Sequence, residues 1–327
     1  MIITRTPYRV SLFGGGSDYP TWFREHGGRV LGMAIDKYCY ITVRELPPFF
    51  EHRHRIVYSK QELVNTFAEI QHPAVRGILE ALQPQCGIEM HHDGDLPARS
   101  GLGSSSSFTV GLIHALNVLA KTDISRFDLA KVSIDLEQQV IDKHVGSQDQ
   151  IWAAYGGLNR IDFHRDDSFT VTPLNVTGRK RKALSQNLVL FFSGITRRAP
   201  VIAEKQIGNL HKKAANIHRM MEMVDEAEDI LADADAPLAH IGELLHESWC
   251  LKRQLADGVS TDVIDDIYQA AREAGAVGGK LLGAGGGGFM LFYVEPDHRD
   301  AVRQALGKLI EVDFKIDDDG SEVIFGR

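Results

Sequence analysis

Residues 101–119 run GLGSSSSFTVGLIHALNVL: two glycines around a leucine, four serines, then an almost wholly apolar stretch. Phe108, Leu112, Leu116 and Leu119 recur at helical spacing, which predicts a helix that begins inside the serine run and continues to about Lys121. The first turn of such a helix carries unpaired backbone N–H groups and the positive end of the helix dipole. Glycines let that backbone come close to a ligand, and serine hydroxyls add donors and can ligate magnesium. Together these features suit a di- or triphosphate. The loop is not Walker A, which needs the lysine of GxxxxGK[ST], and it is not the dinucleotide fingerprint GxGxxG. Taken alone, the stretch fits a solvated turn that caps a helix equally well.

The surrounding pattern mixes strands and helices. Residues 1–45 are rich in Val, Ile and Tyr and suit strands and turns. Residues 61–83 are expected to be helical, and GIEMHHDGDLP to be a strand entering a loop. A second helix should follow TDIS, capped by Ser125 and burying Leu129, Val132, Leu136 and Val140. AAYGGLNRIDF suggests a turn and a strand. The basic stretch VTGRKRKALSQ is the expected boundary between two domains, residues 1–182 and 183–327. Beyond it come a strand in NLVLFFSG and helices at about 199–233, 237–256 and 261–274. A glycine-rich turn into a strand follows, and the tail VDFKIDDDGSEVIFG supplies two more short strands. The order lacks the regular alternation of a doubly wound sheet, so the fold class is α+β.

Composition narrows the function classes. With 43% hydrophobic and 24% charged residues, the 327-residue chain has the make-up of a soluble globular protein. A net charge of −8 argues against a general nucleic-acid binder, though not against a local basic pocket. Cys39, Cys86 and Cys250 are far apart and form no CxxC pair, so a disulfide framework or zinc site is not expected and the reducing cytoplasm fits. The N-terminal MIITRTPYRV is too charged for a signal peptide. No window offers about 18 uninterrupted apolar residues, so no membrane partner is expected.

Pro97-x-x-x-Gly101-Leu102-Gly103-Ser104-Ser105-Ser106 resembles the nucleotide-phosphate motif of the GHMP kinase superfamily, named for galacto-, homoserine, mevalonate and phosphomevalonate kinases. Two further motifs of that family have counterparts in the right order: RTPYRVSLFGGGSDYP at 5–20 and GGKLLGAGGGGFMLF at 278–292. The resemblance implies a two-domain fold, with an N-terminal domain like domain 2 of ribosomal protein S5 and a ferredoxin-like C-terminal domain. The site would lie in the cleft between them. It also implies ATP and Mg²⁺ as cofactors, with Pro97, Ser100, Gly101, Leu102, Gly103, Ser104, Ser105 and Ser106 cradling the phosphates. The third motif would brace this loop from below, with Lys280 a weaker candidate for phosphate.

By match to the family pattern, Ser105 and Glu137 would hold the metal, and Asp149 would accept or orient the proton of the acceptor hydroxyl. Glu137 also reads as an ordinary surface glutamate, and Asp149 as a helix cap. Arg9 matches a basic catalytic position, while Gly15, Gly16, Ser17, Asp18 and Gln148 match the sugar side. The family's galactokinases carry Glu-His where this chain has Gly15-Gly16, which argues against galactose. GLGSSSSFTVGLIHAL, GSQDQIWAAYGGLNRI and FFSGITRRAPVIAEKQ are similar instead to the D-glycero-D-manno-heptose 7-phosphate kinases. That similarity implies phosphorylation of the anomeric hydroxyl to a 1,7-bisphosphate. Arg197 and Arg198 would then grip the second phosphate through their planar forks. The partners are a sugar phosphate and ATP, and a homodimer is compatible with the pattern. A kinase of an unphosphorylated sugar such as fucose, or a non-catalytic nucleotide- or sugar-binding regulator, is the alternative.

Two constellations are set aside. The pairs His52/His54 and His91/His92 have no cysteine company and are expected on surface or loop. Asp317-Asp318-Asp319 lacks calcium-loop spacing and is expected to form a hairpin turn.

Overall fold

The computed structural model describes residues 1–141, 144–195 and 199–326. The chain begins β1 (Ile2–Phe13), α1 (Pro20–His26), β2 (Gly28–Glu45), β3 (His54–Val57), β4 (Gln61–Val64), α2 (Pro73–Leu82), β5 (Ile88–Gly94) and α3 (Ser104–Leu119). Next come α4 (Arg126–Leu136), α5 (Gln148–Tyr155), β6 (Leu158–Phe163), β7 (Phe169–Pro173), α6 (Gly178–Asn187), β8 (Leu188–Phe192) and α7 (Ala199–Asn209). The remainder is α8 (Ala214–Ala232), α9 (Ala239–Arg253), α10 (Asp262–Glu273), β9 (Gly278–Leu281), β10 (Phe289–Tyr293), α11 (Arg299–Ala305), β11 (Ile310–Val312) and β12 (Glu322–Gly326).

β1 and β2 form the spine. β2 is 18 residues long, and its free edge serves two partners: Gly28–Met33 pairs with β6, and Cys39–Glu45 with β5. The first sheet runs β12-β1-β2-β5-β3-β4, with β6 and β7 continuing from β2. The second sheet runs β11-β8-β10-β9 and is antiparallel throughout. From Thr6 to Phe13 every residue of β1 is buried, so both faces of this strand are covered. The helices α3, α5, α8 and α9 all pack on it. The serine-led α3 is buried from Ser106 to Ile113, including Gly111, where a Cβ would stand 2.8 Å from Thr6 Oγ1. One continuous core joins Leu12 and Phe13 of the first sheet to Leu190, Phe289 and Leu291 of the second.

Several expectations need correction. Residues 61–64 are strand β4, paired with β3, and only 73–82 are α-helical. Ser125 does cap α4, accepting from Asp128 N. The expected stripe holds in part: Leu129 is buried and Val132 and Leu136 pack half-buried against the core, but Val140 does not. Leu129, Ala130, Ser133, Ile134 and then Glu137 face inward, while Val140 is exposed. The helix widens into a π-turn at Glu137–Ile141, which shifts the phase of the residues that follow. The basic stretch near 176–186 is a helix, α6, capped by Thr177, so the expected domain boundary falls inside an element. The segment 199–233 is two helices separated by a 3-10 turn at His211–Lys213. Asp317 forms a turn, accepting from the amides of Asp319 and Gly320, but not a hairpin: β11 joins the second sheet and β12 returns to the first. His54 is buried and accepts from Ile88 N through Nδ1.

Candidate active site

The loop from β5 to α3 is shaped by contacts on two sides. Leu102 is fully buried and its carbonyl accepts from Arg9 N at 3.0 Å. Gly101 has φ +87, and a Cβ there would lie 2.6 Å from Leu282 O, so no other residue fits without strain. Gly103 has φ +75 and precedes the first helical bond, Ser107 N to Gly103 O at 2.9 Å. The amides of Ser104, Ser105 and Ser106 therefore lie ahead of the helical ladder, as an anion site requires. The third glycine motif braces the loop: Phe289 N donates to Ser100 O at 3.0 Å, and a Cβ at Gly288 would lie 2.3 Å from that same oxygen.

Three consecutive side chains in the first turn of α5 organise the polar network beside this loop. Gln148 Nε2 donates to Asp18 Oδ2 at 2.8 Å. Asp149 takes a two-pronged pair from Arg9, Nε to Oδ1 and an Nη to Oδ2, both at 2.7 Å. Gln150 Nε2 donates to Glu137 Oε2, which also accepts from Ser106 Oγ at 2.8 Å. Arg9 additionally donates to Gly101 O at 2.6 Å, so one guanidinium ties Asp149 to the phosphate loop. A Cβ at Gly103 would stand 3.3 Å from Asp149 Oδ2. The loop before α3, Glu137 and Asp18 thus meet at one short helix turn.

Burial sets the electrostatics. Glu137 is buried, and desolvation pushes its carboxyl up to about 7, with the charge of Asp149 adding to the shift and hydrogen bonds opposing it. Desolvation likewise raises Asp18, against a hydrogen bond from Gly16 N, and the neighbouring Asp149 adds to the rise. Three carboxyl groups near one another, two of them desolvated, suit a site completed by a cation. Glu137 Oε1 is buried without a hydrogen bond, while the other oxygen of the same carboxyl, Oε2, accepts from the Ser106 hydroxyl. A hard cation such as Mg²⁺ fits this oxygen pair. Beneath the loop, Lys252 Nζ donates to the carbonyls of Leu281 and Gly283. Its pKa is lowered well below normal by burial and by the charges of Lys280 and Arg9.

The metal pair expected from the sequence was Ser105 with Glu137, but Ser105 is exposed and the structure brings Ser106 to Glu137 instead. Successive helix residues point about 100° apart, and α3 docks with Ser106 inward. Ser104 Oγ accepts from Arg99 N, while Pro97 lies exposed at the start of the loop. Ser100 is buried with its hydroxyl unpartnered. Ser17 is buried and bonds Gly14 O and Arg29 O, so it shapes the sugar-side turn rather than facing a ligand. At Gly15 a Cβ would find only Ser11 Oγ and Gln148 Nε2, at 3.9 and 4.0 Å, which leaves space beside Gln148. Lys280 does not reach the loop: its buried Nζ donates to Leu12 O. Arg197 and Arg198 lie outside the described residues. Sequence reasoning missed Gln150 and Lys252. Gln150 was foreshadowed by the two glutamines flanking Asp149, whereas a lysine deep in α9 gave no signal.

Two family models match the chain, GHMP kinases N terminal domain over residues 65–157 and GHMP kinases C terminal over residues 227–311, together more than half of it. A D-glycero-alpha-D-manno-heptose 7-phosphate kinase from Campylobacter jejuni is 29% identical over 321 residues, covering 94% of this chain and 93% of that protein. A galactokinase from Pyrococcus furiosus is 27% identical over 338 residues, covering 93% and 92%. The crystal structure of a D-glycero-D-manno-heptose 1-phosphate kinase from Bacteroides thetaiotaomicron shares the fold, with a TM-score of 0.80 over 100% of both chains at 22% identity. Both halves of the family pattern are present in order and laid over one matching fold, so the chain belongs to the GHMP kinases, phosphotransferases that act on an alcohol group.

Proposed function

We propose that the protein transfers the γ-phosphoryl group of ATP to the anomeric hydroxyl of D-glycero-D-manno-heptose 7-phosphate, giving the 1,7-bisphosphate. The reading rests above all on the α5 turn, where Gln148, Asp149 and Gln150 join the sugar-side aspartate, the basic Arg9 and the buried Glu137. ATP would supply the phosphoryl group, with magnesium neutralising its phosphate charge. The α3 N-terminus and Ser104 would receive the phosphates, and Glu137 with Ser106 would hold the metal. Asp18, fixed by Gly16 N and Gln148, would accept from a sugar hydroxyl beside the space at Gly15. Asp149 would take the proton of the attacking hydroxyl as the new O–P bond forms and ADP leaves, while Arg9 holds both of its oxygens in place. The Campylobacter relative supports a heptose phosphate as substrate. Arg197 and Arg198 are the proposed grip on its distal phosphate. The reading places the protein in the cytoplasm, where ATP and magnesium are supplied.

Two measurements test this reading. ATP consumption is measured against hexoses, heptoses and their terminal phosphates. Turnover with the heptose 7-phosphate, and a raised KM after Arg197→Ala with Arg198→Ala, is expected; activity confined to unphosphorylated sugars would sink the substrate assignment. Asp149→Asn should bind ATP normally and lose about 10²–10⁴-fold in kcat. Near-normal turnover would remove Asp149 from the proton-transfer role.

A further inference from the structure

Away from the cleft, α1 and the 3-10 turn between α7 and α8 bring Glu25, His26 and His211 together, with donor atoms all within 4.8 Å of one another. His26 Nε2 is 3.8 Å from Glu25 Oε1, and His211 Nδ1 is 3.9 Å from Glu25 Oε2. Glu25 pairs with both imidazoles, and a third imidazole, His218, lies with its ring centroid 5.6 Å from that of His26. Bonds of about 2.0–2.1 Å in a tetrahedral site put ligand atoms ~3.4 Å apart. The gaps to Glu25 are about half an ångström wider than that and run to its two different oxygens. The three donor atoms, taken one per residue, lie within 4.8 Å of one another, so closing on one ion moves them by up to about 1.4 Å. Glu25 and His211, 66% and 56% exposed, have room to rotate.

The rings rest on a firm floor. Trp22 is fully buried, its ring centroid 4.3 Å from that of His26 and 6.2 Å from that of His211. Together with Leu210, Ile217, Met220, Met221 and Leu255, Trp22 makes a small core separate from the main one. Two imidazoles and one carboxylate, open to solvent on one side, form a donor set for a borderline-soft ion such as Zn²⁺ rather than for Mg²⁺, which takes oxygen.

We propose that Glu25, His26 and His211 bind one Zn²⁺, with water in the fourth position, and that the ion fastens α1 to the α7–α8 turn. The tie matters for what lies next to it. α1 begins two residues after Asp18. Leu210 and Ile217, on either side of His211, cover Gly16, where a Cβ would stand 3.9 and 3.1 Å from them. The ion would therefore clamp together the two segments that enclose the sugar-side glycine turn.

The test is isothermal titration of the full chain, free of any histidine tag and of chelators, with Zn²⁺. One ion per chain is expected. His26→Ala and His211→Ala should each weaken binding by about tenfold or more, while His240→Ala, an exposed histidine of α9, should not change it. Co²⁺ in place of Zn²⁺ should give a tetrahedral visible spectrum and quench tryptophan fluorescence through Trp22. His211 sits on an exposed turn, so His211→Ala decides the matter even where His26→Ala disturbs the fold. Zn²⁺ taken up at the buried Glu137 carboxylate would survive both histidine substitutions. That result, or no saturable binding by the parent chain, overturns the proposal.

Discussion

Ser105 and Ser106 are chemically identical neighbours, and only one of them touches Glu137. Ser106→Ala should raise the magnesium concentration needed for half-maximal activity by about tenfold or more, since it removes a direct partner of a buried carboxylate. Ser105→Ala should change that concentration by less than about threefold. Steady-state rates across a magnesium series separate the two; equal effects would return the role to Ser105. Glu137 itself makes a pH prediction. Its carboxyl is raised from 4.5 to about 7 by desolvation, so the folded state holds a proton that the unfolded state releases. The associated stability is fully present below about pH 4.5 and is lost as pH rises through about 7. The slope is at most about 1.4 kcal/mol per pH unit. Urea unfolding of the metal-free chain at several pH values should show stability falling across this window, and Glu137→Gln should flatten the fall. A slope unchanged by Glu137→Gln would mean that another group carries it. Magnesium needs the carboxylate, so its affinity should rise with pH over the same range.

At the scale of elements, the loop between β5 and α3 owes its shape to neighbours distant in sequence. The Gly101 position has φ +87 and faces Leu282 O, so Gly101→Ala meets both backbone strain and a clash with the β9–β10 turn. A destabilisation of about 1–3 kcal/mol is expected, with a raised KM for ATP. Thermal unfolding and ATP kinetics measure both effects, and a neutral result would show that the brace yields easily. Helix α3 was legible from its four apolar positions because a buried helix advertises its period. The inward face of α4 was legible as far as Leu136 but not beyond it. A π-turn inserts one residue into the helical count, and the apolar spacing of Leu129, Val132, Leu136 and Val140 carries no sign of it. Strand β4 was also hidden, since four residues with only Leu63 and Val64 apolar show no period.

At the scale of the molecule, the two sheets share a core and the chain crosses between them at its end. β12 pairs with β1, Arg5 bonds Glu322, and the Ser321 hydroxyl meets both Thr6 and His114. Removing residues 321–327 should lower the unfolding midpoint by at least about 2 °C. It should leave kcat within about twofold, because β12 pairs with Ile2–Arg5 and stops short of Arg9. An unchanged midpoint would show that β12 adds no stability to the sheet. This return of the tail is why a single cut at 182/183 does not describe the architecture. A cut drawn along the sequence cannot show a strand that rejoins a sheet formed three hundred residues earlier.

By itself the sequence determined the α+β class and the three glycine motifs in their order, because glycine turns are local signals; Arg9, Asp18, Glu137 and Asp149 were singled out by their match to the family pattern. Only the tertiary structure decided that Ser106 faces Glu137, that Gln150 joins it, that Lys252 secures the glycine brace and that Lys280 turns away. Those outcomes depend on how each helix is rotated as it docks on the sheet. That rotation is fixed by the packing of the whole core rather than by any stretch of neighbouring residues.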